Sequence, residues 1–312
     1  MAKVNFMVGI GRLGRRMGLL LVVIAVWAGS AVAAELSDRV DWTEAKPVGD
    51  GMRLVQLAFT QPRLMRAAIL RVDLRTPGLR FVGTPRASNW GEPFPGMTNN
   101  ARRVRTFRQF TVDFLRAERA RGRNMVAAFN TAFWGPSIAP QVKYANPLGL
   151  NISDGVVVSD DRPSPCKALF VAWNDGRCEI TETLAEKDFS RVQVAHSGSD
   201  RILRAGRNVA RDQSVHPRTA CGLSADGHYF YLLVVDGRQP KWSVGATQVE
   251  LGRILSAAGA AEAMNFDGGG SSSFALWDGT AVRMVNRHAN GYRRATAMNI
   301  GICLPAPLGV SD

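Results

Sequence analysis

The stretch Met264-Asn265-Phe266-Asp267-Gly268-Gly269-Gly270-Ser271-Ser272-Ser273 joins the apolar end of a strand to three glycines and three hydroxyls. Alternate residues of a strand share a face, so Asn265 and Asp267 are expected to point the same way while Phe266 packs inside. Glycine permits positive φ and lets backbone N–H groups approach an anionic oxygen. Residues 268–272, here called the glycine loop, lack the lysine of a P-loop and the spaced glycines of a dinucleotide-binding motif. A nucleotide site is therefore not favoured.

A strand, a helix and a strand lead into this loop. The apolar run 229–235 ends at Asp236, and Thr247 with Glu250 has the pattern of a capping box that begins a helix ending at Gly259. This order predicts that the strands 229–235 and 262–266 are parallel neighbours joined by a right-handed crossover. Parallel strands would bring Asp236 and Asp267 to one edge of the sheet, where ligands of open α/β sheets bind.

Short apolar runs between turn residues indicate strands over most of the remaining chain. Hairpins are predicted at 148–158 and 274–285, and an amphipathic helix over about residues 100–121. A buried strand at 125–129 leads into Asn130. The chain has no internal repeat and no low-complexity linker. These patterns predict an α+β fold (mixed α/β), a single largely β domain over residues 40–306 with a mixed sheet and a few flanking helices.

Residues 1–33 have the layout of a secretory signal peptide. Four basic residues precede or flank the apolar run 17–27, and small residues at 30–34 suit a signal peptidase. The prediction is a periplasmic or secreted protein with no stable membrane span after cleavage, because no later stretch reaches the ~20 apolar residues that a spanning helix needs. An uncleaved N-terminal anchor is the alternative. The pair Arg15-Arg16 resembles a twin-arginine signal, but the residues around it do not, so the export route stays open.

The chain is strongly basic, with a formal net charge of +13 that falls to +9 once the four basic residues of the signal segment are removed. Such a charge favours anionic partners, among them anionic lipid surfaces and phosphate-bearing envelope polymers. Nucleic acid is not expected, because an exported protein rarely meets it and the arginines are spread along the chain. The alternative is that the charge only keeps the protein soluble.

Four cysteines follow the signal segment, and an oxidising compartment favours disulfide bonds. Cys166 and Cys178 flank an apolar run and the turn 174–176, so a hairpin can bring them opposite each other. Cys221 and Cys303 lie in strand-like runs that fit either a second pair or simple burial. The four histidines are scattered and no Cys-x-x-Cys pair occurs, which argues against a structural zinc site.

Asn265-Phe266-Asp267 with the glycine loop, the helix before them and Val235-Asp236-Gly237-Arg238 together resemble the phosphodiester glycosidase family. That family includes the lysosomal uncovering enzyme, N-acetylglucosamine-1-phosphodiester alpha-N-acetylglucosaminidase, and exported bacterial proteins labelled exopolysaccharide-related. The segments 217–220 and 292–295 match the family's Arg-Thr strand and its closing arginine segment. Residues 125–134 resemble its strand and Asn-Gly-Gly-Phe-Phe type loop, except that Thr131 and Ala132 replace the glycines and Trp134 the second aromatic. This departure puts the shape of one wall of the pocket in question.

The resemblance implies a hydrolase that cleaves the bond between an N-acetylglucosamine-like sugar and a phosphodiester in envelope or extracellular glycans. An oxocarbenium-like transition state needs a nearby carboxylate, and a guanidinium can hold two phosphate oxygens at once. The expected catalytic residues are Asp267 as nucleophile or base, Asp236 as second carboxylate and Arg218 as phosphate clamp. The expected substrate-binding residues are Asn130, Asn265, Gly268, Gly269, Gly270, Ser271, Ser272 and Arg294.

The same residues also have other interpretations. Asp236-Gly237 can be only a turn, Arg218 can be a buried partner of Asp267, and Arg294 and His216 can be structural. No cofactor is expected, although Asp267, Asn265 and loop carbonyls have the oxygen ligands that a divalent cation prefers. The whole protein can also be a non-catalytic glycan-binding protein of the envelope, or a glycosidase acting on a polysaccharide without phosphate.

Overall fold

The computed structural model describes residues 32–33, 36, 39–95, 102–136, 142–161, 164–185 and 188–305. Apart from Val32–Ala33, the expected signal segment lies outside these residues. The α-helices are α1 (Thr111–Ala120) and α2 (Gln248–Ala258), and short 3₁₀ turns occupy Phe189–Arg191, Gly269–Ser271 and Ala289–Gly291. The strands are β1 (Val32–Ala33), β2 (Lys46–Gly49), β3 (Met52–Phe59), β4 (Met65–Asp73), β5 (Arg80–Gly83), β6 (Thr106–Phe107), β7 (Met125–Asn130), β8 (Trp134–Gly135), β9 (Tyr144–Pro147), β10 (Gly149–Ser153), β11 (Val156–Asp161), β12 (Ala168–Trp173), β13 (Cys178–Thr181), β14 (Val192–Gly198), β15 (Arg201–Arg204), β16 (Arg207–Asn208), β17 (Arg218–Leu223), β18 (Tyr229–Val235), β19 (Glu262–Asn265), β20 (Phe274–Trp277), β21 (Val282–Met284) and β22 (Asn299–Cys303).

The strands form four sheets. The largest has nine strands in the order β1-β3-β4-β18-β17-β19-β15-β16, with β2 paired to β3. Two five-stranded sheets have the orders β11-β10-β14-β12-β13 and β21-β20-β7-β22-β5, and a small sheet joins β6, β9 and β8. Among the described residues, every strand pairing except that of β1 with β3 is antiparallel.

The main core lies where the nine-stranded sheet meets the two five-stranded sheets, and phenylalanines from all three dominate it. The ring centroids of Phe129 and Phe266 are 6.3 Å apart, and both Phe129 and Phe170 contact Phe230. Aromatic side chains carry large buried areas, so this cluster holds the sheets in a fixed relation. The residues that follow Phe129 and Phe266 in sequence, Asn130 and Asp267, therefore leave the core side by side.

Helix α2 has the ends that the sequence predicts. Thr247 Oγ1 accepts a hydrogen bond from the Glu250 N–H, and the Glu250 carboxylate accepts one from the Thr247 N–H, which completes the capping box. The helix ends at Gly259, whose φ of 108° suits a residue without Cβ. Its apolar face covers a second core on the outer face of the nine-stranded sheet. The first helix is shorter than expected, Thr111–Ala120 instead of about 100–121.

The predicted α+β class with a mixed sheet is wrong. The fold is largely β, its sheets are antiparallel, and the described residues contain two α-helices. The strands β18 and β19 do run in the same direction, but they are not neighbours, because β17 lies between them and pairs antiparallel with both. The pattern of strand, helix and strand correctly predicts that β18 and β19 run in the same direction. It does not predict that β17, from an earlier part of the chain, lies between them.

The predicted disulfide bond between Cys166 and Cys178 does not form, and all four cysteines are free. The expected hairpin of β12 and β13 is present, but its register places Cys178 opposite Ala172, while Cys166 precedes the first paired residue. Cys221 and Cys303 are buried as free thiols. No helix in the described part of the chain is long and apolar enough to cross a bilayer.

Candidate active site around Asp267

Three adjacent strands bring their functional residues to one edge of the nine-stranded sheet, here called the site edge. Strands β18 and β19 end there, and β17, which runs the opposite way, begins there. In this register Arg218 lies opposite Val235, and Ala220 lies opposite Asn265. The site edge therefore collects Asp236, Arg218 and Asp267, as the sequence predicted for the two carboxylates.

Backbone hydrogen bonds hold the glycine loop against its neighbours. The Asp267 N–H donates to the Thr131 carbonyl at 2.8 Å, and the Gly269 N–H donates to the Pro217 carbonyl at 2.8 Å. A Cβ at Gly268 would lie 2.7 Å from that same Pro217 oxygen, so a larger residue does not fit without a shift. Gly269 has a φ of 60°, which glycine adopts without strain. The loop is thus fixed before any ligand arrives.

The Asp267 carboxyl group is partly exposed, yet its environment is mostly protein. Burial raises its pKa to about 6, and the Ser271 hydroxyl, the Arg294 charge, the Gly268 N–H and the Trp134 indole oppose that rise. The Ser271 hydroxyl lies near enough to favour the charged form, although its geometry falls short of a full hydrogen bond. A carboxyl group with such a pKa is ionised at neutral pH and still basic enough to take a proton.

Two arginines lie directly on the glycine loop. A Cβ at Gly269 would lie 3.1 Å from Arg238 Nη2, and a Cβ at Gly270 would lie 2.8 Å from Arg294 Cζ. Both side chains are exposed, so their remaining N–H groups can reach a ligand. The two glycines therefore have a second role beyond turning the chain, because they leave room for guanidinium groups beside Asp267.

A tryptophan and a third arginine form the neighbouring wall. The Arg108 guanidinium carbon lies 4.9 Å from the centroid of the Trp134 ring, whose indole interacts with Asp267. Burial and the positive charge of Arg294 lower the pKa of Arg108, which places the two cations near each other. The site thus has one carboxylate with basic side chains on two sides.

Arg218 is turned away from the glycine loop. Its side chain is 6 % exposed, its Nε donates to the Ala246 carbonyl at 3.1 Å, and its Nη2 donates to Asp212 Oδ2 at 2.8 Å and to the Ser214 carbonyl at 2.5 Å. Arg218 is therefore the buried member of an ion pair, as the alternative interpretation of the sequence proposed. Its partner is Asp212 and not Asp267. Arg218 holds the segment before β17 in place beneath the loop.

Asp236 is 5 % exposed and ties two loops together. Its Oδ2 accepts the Trp242 indole N–H at 2.7 Å, and its Oδ1 accepts the Arg287 N–H at 2.9 Å. Burial raises the pKa of Asp236 to about 6, and these hydrogen bonds oppose the rise. Because both oxygens are engaged, this carboxyl group organises the rim of the site and does not face a ligand directly.

The two predicted asparagines are also buried in the framework. Asn130 Nδ2 donates to the Asp267 carbonyl at 2.7 Å, and its Oδ1 accepts from the Thr219 hydroxyl at 2.8 Å and the Ser273 N–H at 3.0 Å. Asn265 Nδ2 donates to Ser199 Oγ at 3.0 Å and to the Phe266 carbonyl. Asn130 has no polar atom left for a sugar, whereas the buried Asn265 Oδ1 has no hydrogen-bond partner.

The two residues that replace the family's glycines are buried. Thr131 Oγ1 lies 2.7 Å from His196 Nδ1, and its carbonyl is the acceptor for the Asp267 N–H. His196 is fully buried, and burial lowers its pKa to about 3, so the ring is neutral. The Thr131 side chain thus forms a hydrogen bond with His196 of β14. The hydrogen bond between Asn130 and the Asp267 carbonyl is present beside it.

The remaining loop hydroxyls and possible metal ligands can be placed as well. Ser271 Oγ and Ser272 Oγ are buried and have no full hydrogen-bond partner. Within the described ranges, no group of three or more His, Cys, Asp or Glu residues is arranged to hold a metal ion. A separate cleft of about 760 Å³ lies beside α2, lined by residues such as Arg39 and Arg253, and contains none of these site residues.

Comparison with known proteins agrees with this geometry. The sequence profile of the phosphodiester glycosidase family matches residues 123–303, more than half of the chain. The chain belongs to the phosphodiester glycosidase family. No curated protein matches the sequence as a whole.

Two solved structures have folds similar to that of this chain. One is the zebrafish N-acetylglucosamine-1-phosphodiester alpha-N-acetylglucosaminidase catalytic domain, auto-inhibited by its pro-peptide, with 18% identity, a TM-score of 0.59 and coverage of 86% of this chain and 87% of that one. The other is a hypothetical protein from Synechocystis, with 14% identity, a TM-score of 0.59 and coverage of 84% of this chain and 64% of that one. At these identities the likeness establishes the fold alone.

The family match includes β7, β17, β18, β19 and the glycine loop, and so covers Arg238 and Arg294 as well as Asp267. Arg238 was not among the predicted site residues, although it ends the quoted motif 235–238. Arg108 lies outside the matched segment, in the part of the predicted helix 100–121 that is not helical in the structure. The place of Arg238 at the end of the motif 235–238 was the available signal for it, whereas nothing local pointed to Arg108.

Proposed function

We propose that this protein is a glycoside hydrolase that cleaves the bond between a sugar and the phosphate of a phosphodiester, with Asp267 as its catalytic carboxylate. The observation that carries the proposal is the placement of the Arg238 and Arg294 guanidinium groups on the glycine loop, next to Asp267. A phosphodiester has one negative charge, and such a group needs cations beside the carboxylate that attacks or activates water. Family membership supports the same activity.

Asp267 is suited to act at the anomeric carbon. Its raised pKa of about 6 keeps it ionised at neutral pH, where it can serve as nucleophile or as base for a water molecule. The departing phosphate carries its charge without an added proton, so a second carboxylic acid is not needed. This agrees with Asp236, whose oxygens are occupied by Trp242 and Arg287.

The phosphate-binding role that the sequence assigned to Arg218 passes in this proposal to Arg238 and Arg294. Arg218 donates its Nε and Nη2 N–H groups to Ala246, Asp212 and Ser214, whereas Arg238 and Arg294 are exposed and form no ion pair among the described residues. A planar guanidinium can hold two phosphate oxygens at once. The Ser271 and Ser272 hydroxyls, which lack full partners, would bind the remaining oxygens.

The sugar is proposed to be N-acetylglucosamine or a close analogue, and the site of action an envelope or extracellular glycan. The name of the zebrafish neighbour supports the first part, since that enzyme acts on an N-acetylglucosamine phosphodiester. The signal-like segment 1–33 supports export to the periplasm or medium. Asn265 Oδ1, a buried acceptor without a partner, is the group that we assign to a sugar hydroxyl or acetamide.

The test compares three sugar derivatives incubated with the purified protein. The probes are the methyl phosphodiester of N-acetylglucosamine 1-phosphate, N-acetylglucosamine 1-phosphate itself, and a neutral aryl N-acetylglucosaminide. We expect free N-acetylglucosamine to be released fastest from the diester and not from the neutral glycoside. Release from the neutral glycoside alone would instead identify an ordinary glycosidase. Binding of the diester without any product would identify a glycan-binding protein.

A further inference from the structure

A second basic surface adjoins the site edge. It consists of Arg66, Lys241, Trp242 and Arg287, here called the basic-indole patch. The guanidinium carbons of Arg66 and Arg287 lie 4.9 Å and 5.4 Å from the centroid of the Trp242 ring. The indole is 37% exposed, and Lys241 and Arg287 are exposed beside it. One tryptophan therefore gathers two arginine side chains at the surface.

The patch is physically continuous with the glycine loop. Residues 238–244 form a tight hairpin in which the Arg238 N–H donates to the Val244 carbonyl and the Gln239 N–H to the Ser243 carbonyl, both at 3.0 Å. Arg238, at one end of this hairpin, lies on Gly269, and Trp242 lies near the other end. Asp236 fixes the arrangement, because it binds both the Trp242 indole and the Arg287 backbone.

Among the described residues, no salt bridge neutralises the charges of the patch, and the buried Asp236 interacts electrostatically with Arg287 alone of the three basic residues. Within the described part of the chain, Arg66, Lys241 and Arg287 form no ion pair, whereas exposed arginines elsewhere, such as Arg116 and Arg283, pair with nearby aspartates. The one acid nearby, Asp236, is buried beneath the indole and has both oxygens engaged. A guanidinium that stacks on an aromatic ring keeps its N–H edge free for an anion.

We propose that the basic-indole patch binds the anionic chain that continues from the phosphate of the substrate, so that the preferred substrate is a polymer of sugar phosphodiesters rather than a single one. The inference rests on the proposed function, since the polymer's end would lie at Asp267. Its next phosphate groups would then reach Arg287 and Arg66 in turn. The patch's net positive charge, three basic residues beside one buried acid, and its continuity with Arg238 support an anionic occupant of this length.

Strand β4 offers a matched control. Arg66 and Arg71 lie on the same strand, both are partly buried, and each stacks on a tryptophan, with Arg71 at 4.5 Å from the Trp42 ring centroid. Arg71 stacks at the opposite end of β4, beside Tyr229, the first residue of β18, and so lies away from the site edge. Removing either charge costs stacking on an aromatic ring, two rings for Arg71 and one for Arg66, but only Arg66 belongs to the patch.

The experiment measures binding of poly(N-acetylglucosamine 1-phosphate) to the Asp267→Asn protein, in which turnover is not required. We expect Arg66→Gln and Arg287→Gln each to weaken binding about three- to fivefold, as for one partly exposed charge pair, and to reduce its salt dependence. Arg71→Gln is expected to bind as the parent does. Arg66→Lys, which keeps the charge, should restore part of the loss. When the same two substitutions are made in the protein that keeps Asp267, kcat/KM on the methyl phosphodiester should stay within about twofold of the unaltered protein.

Equal polymer binding by Arg66→Gln, Arg287→Gln and Arg71→Gln would overturn the inference, as would equal weakening by all three. Far-ultraviolet circular dichroism of each variant separates loss of fold from loss of charge. Failure of the proposed function gives a different result, in which no probe is hydrolysed while the patch variants still lose polymer affinity. Tight binding of the parent to anionic lipid vesicles, lost in the same variants, with no binding of the polymer would assign the patch to a membrane surface and overturn the polymer proposal.

Discussion

Asn130 Nδ2 donates a 2.7 Å hydrogen bond to the backbone carbonyl of Asp267, so the end of β7 holds the residue that follows β19. The two residues come from different sheets, and the packing of Phe129 on Phe266 brings them together. The side chain of Asn130, which the sequence predicted to bind a sugar, thus holds the backbone at Asp267, directly before the glycine loop. This contact is the basis of the first prediction.

Asn130→Ala should reduce both stability and activity. The change leaves the Thr219 hydroxyl, the Ser273 N–H and the Asp267 carbonyl without their partner in a fully buried place. Unsatisfied buried groups of this kind cost roughly 1–3 kcal/mol, so we expect a loss of about that size in the free energy of unfolding. Urea titration checks it. Asn174→Ala, in an exposed turn, is the control, and an unchanged midpoint for Asn130→Ala would contradict the assignment.

Gly270→Ala should displace Arg294 while leaving the fold intact. The new Cβ would lie 2.8 Å from Arg294 Cζ, a flexible side chain that can move, and Gly270 does not have a positive φ that would add backbone strain. We expect kcat/KM on the sugar phosphodiester to fall about tenfold, since a charge-assisted contact of roughly 1.5 kcal/mol is lost. Gly252→Ala, which crowds only the Asn208 side chain beside α2, should leave kcat/KM unchanged.

Much of the local structure was predictable from sequence, because its signals are local. The Thr247 and Glu250 capping box, the Gly259 helix end and the hairpin turn at residues 154–155 are confirmed, and each depends on neighbouring side chains. The neighbour relation of β18 and β19 was wrong because β17 enters between them from elsewhere in the chain. No periodicity within one segment reports such a non-local pairing.

Sequence could predict which residues meet at the site edge, but not the directions in which their side chains point. Asp236, Arg218 and Asp267 do meet at the site edge, as strand direction implies. Which way the Arg218 side chain turns is decided by Asp212 and Ser214, and sequence alone offers no distance between them. Likewise, Arg238 reaches Asp267's loop only because Gly269 leaves space for it.

The activity should rise with pH through the titration of Asp267. Its pKa is about 6, so the carboxylate form increases up to about that pH and the rate should then level off. Arg294 lowers this pKa, and Arg294→Gln should therefore move the inflection of kcat/KM to higher pH. Arg293→Gln, the exposed neighbour, serves as control. An inflection that stays in place for Arg294→Gln would separate Asp267 from the observed titration.

The contribution of Asp236 to stability should fall as pH rises from about 4 to about 6. Asp236 has a pKa of about 6 in the folded protein against 3.8 for the ordinary group, so in this range the native state holds a proton that the unfolded chain has released. The contribution of Asp236 to the free energy of unfolding then decreases with pH, by roughly 3 kcal/mol for a shift of this size. Asp236→Asn should remove the part of this pH dependence that Asp236 contributes. Asp226→Asn, whose pKa is lowered, should keep it.

Asp267 is the carboxylate that we propose acts at the anomeric carbon. The most direct measurement is the initial rate at which N-acetylglucosamine is released from its methyl phosphodiester by Asp267→Asn, with Asp113→Asn on the exposed face of α1 as control. We expect Asp113→Asn to match the unaltered protein and Asp267→Asn to lose at least about 100-fold in kcat. An unaltered rate for Asp267→Asn would contradict the account.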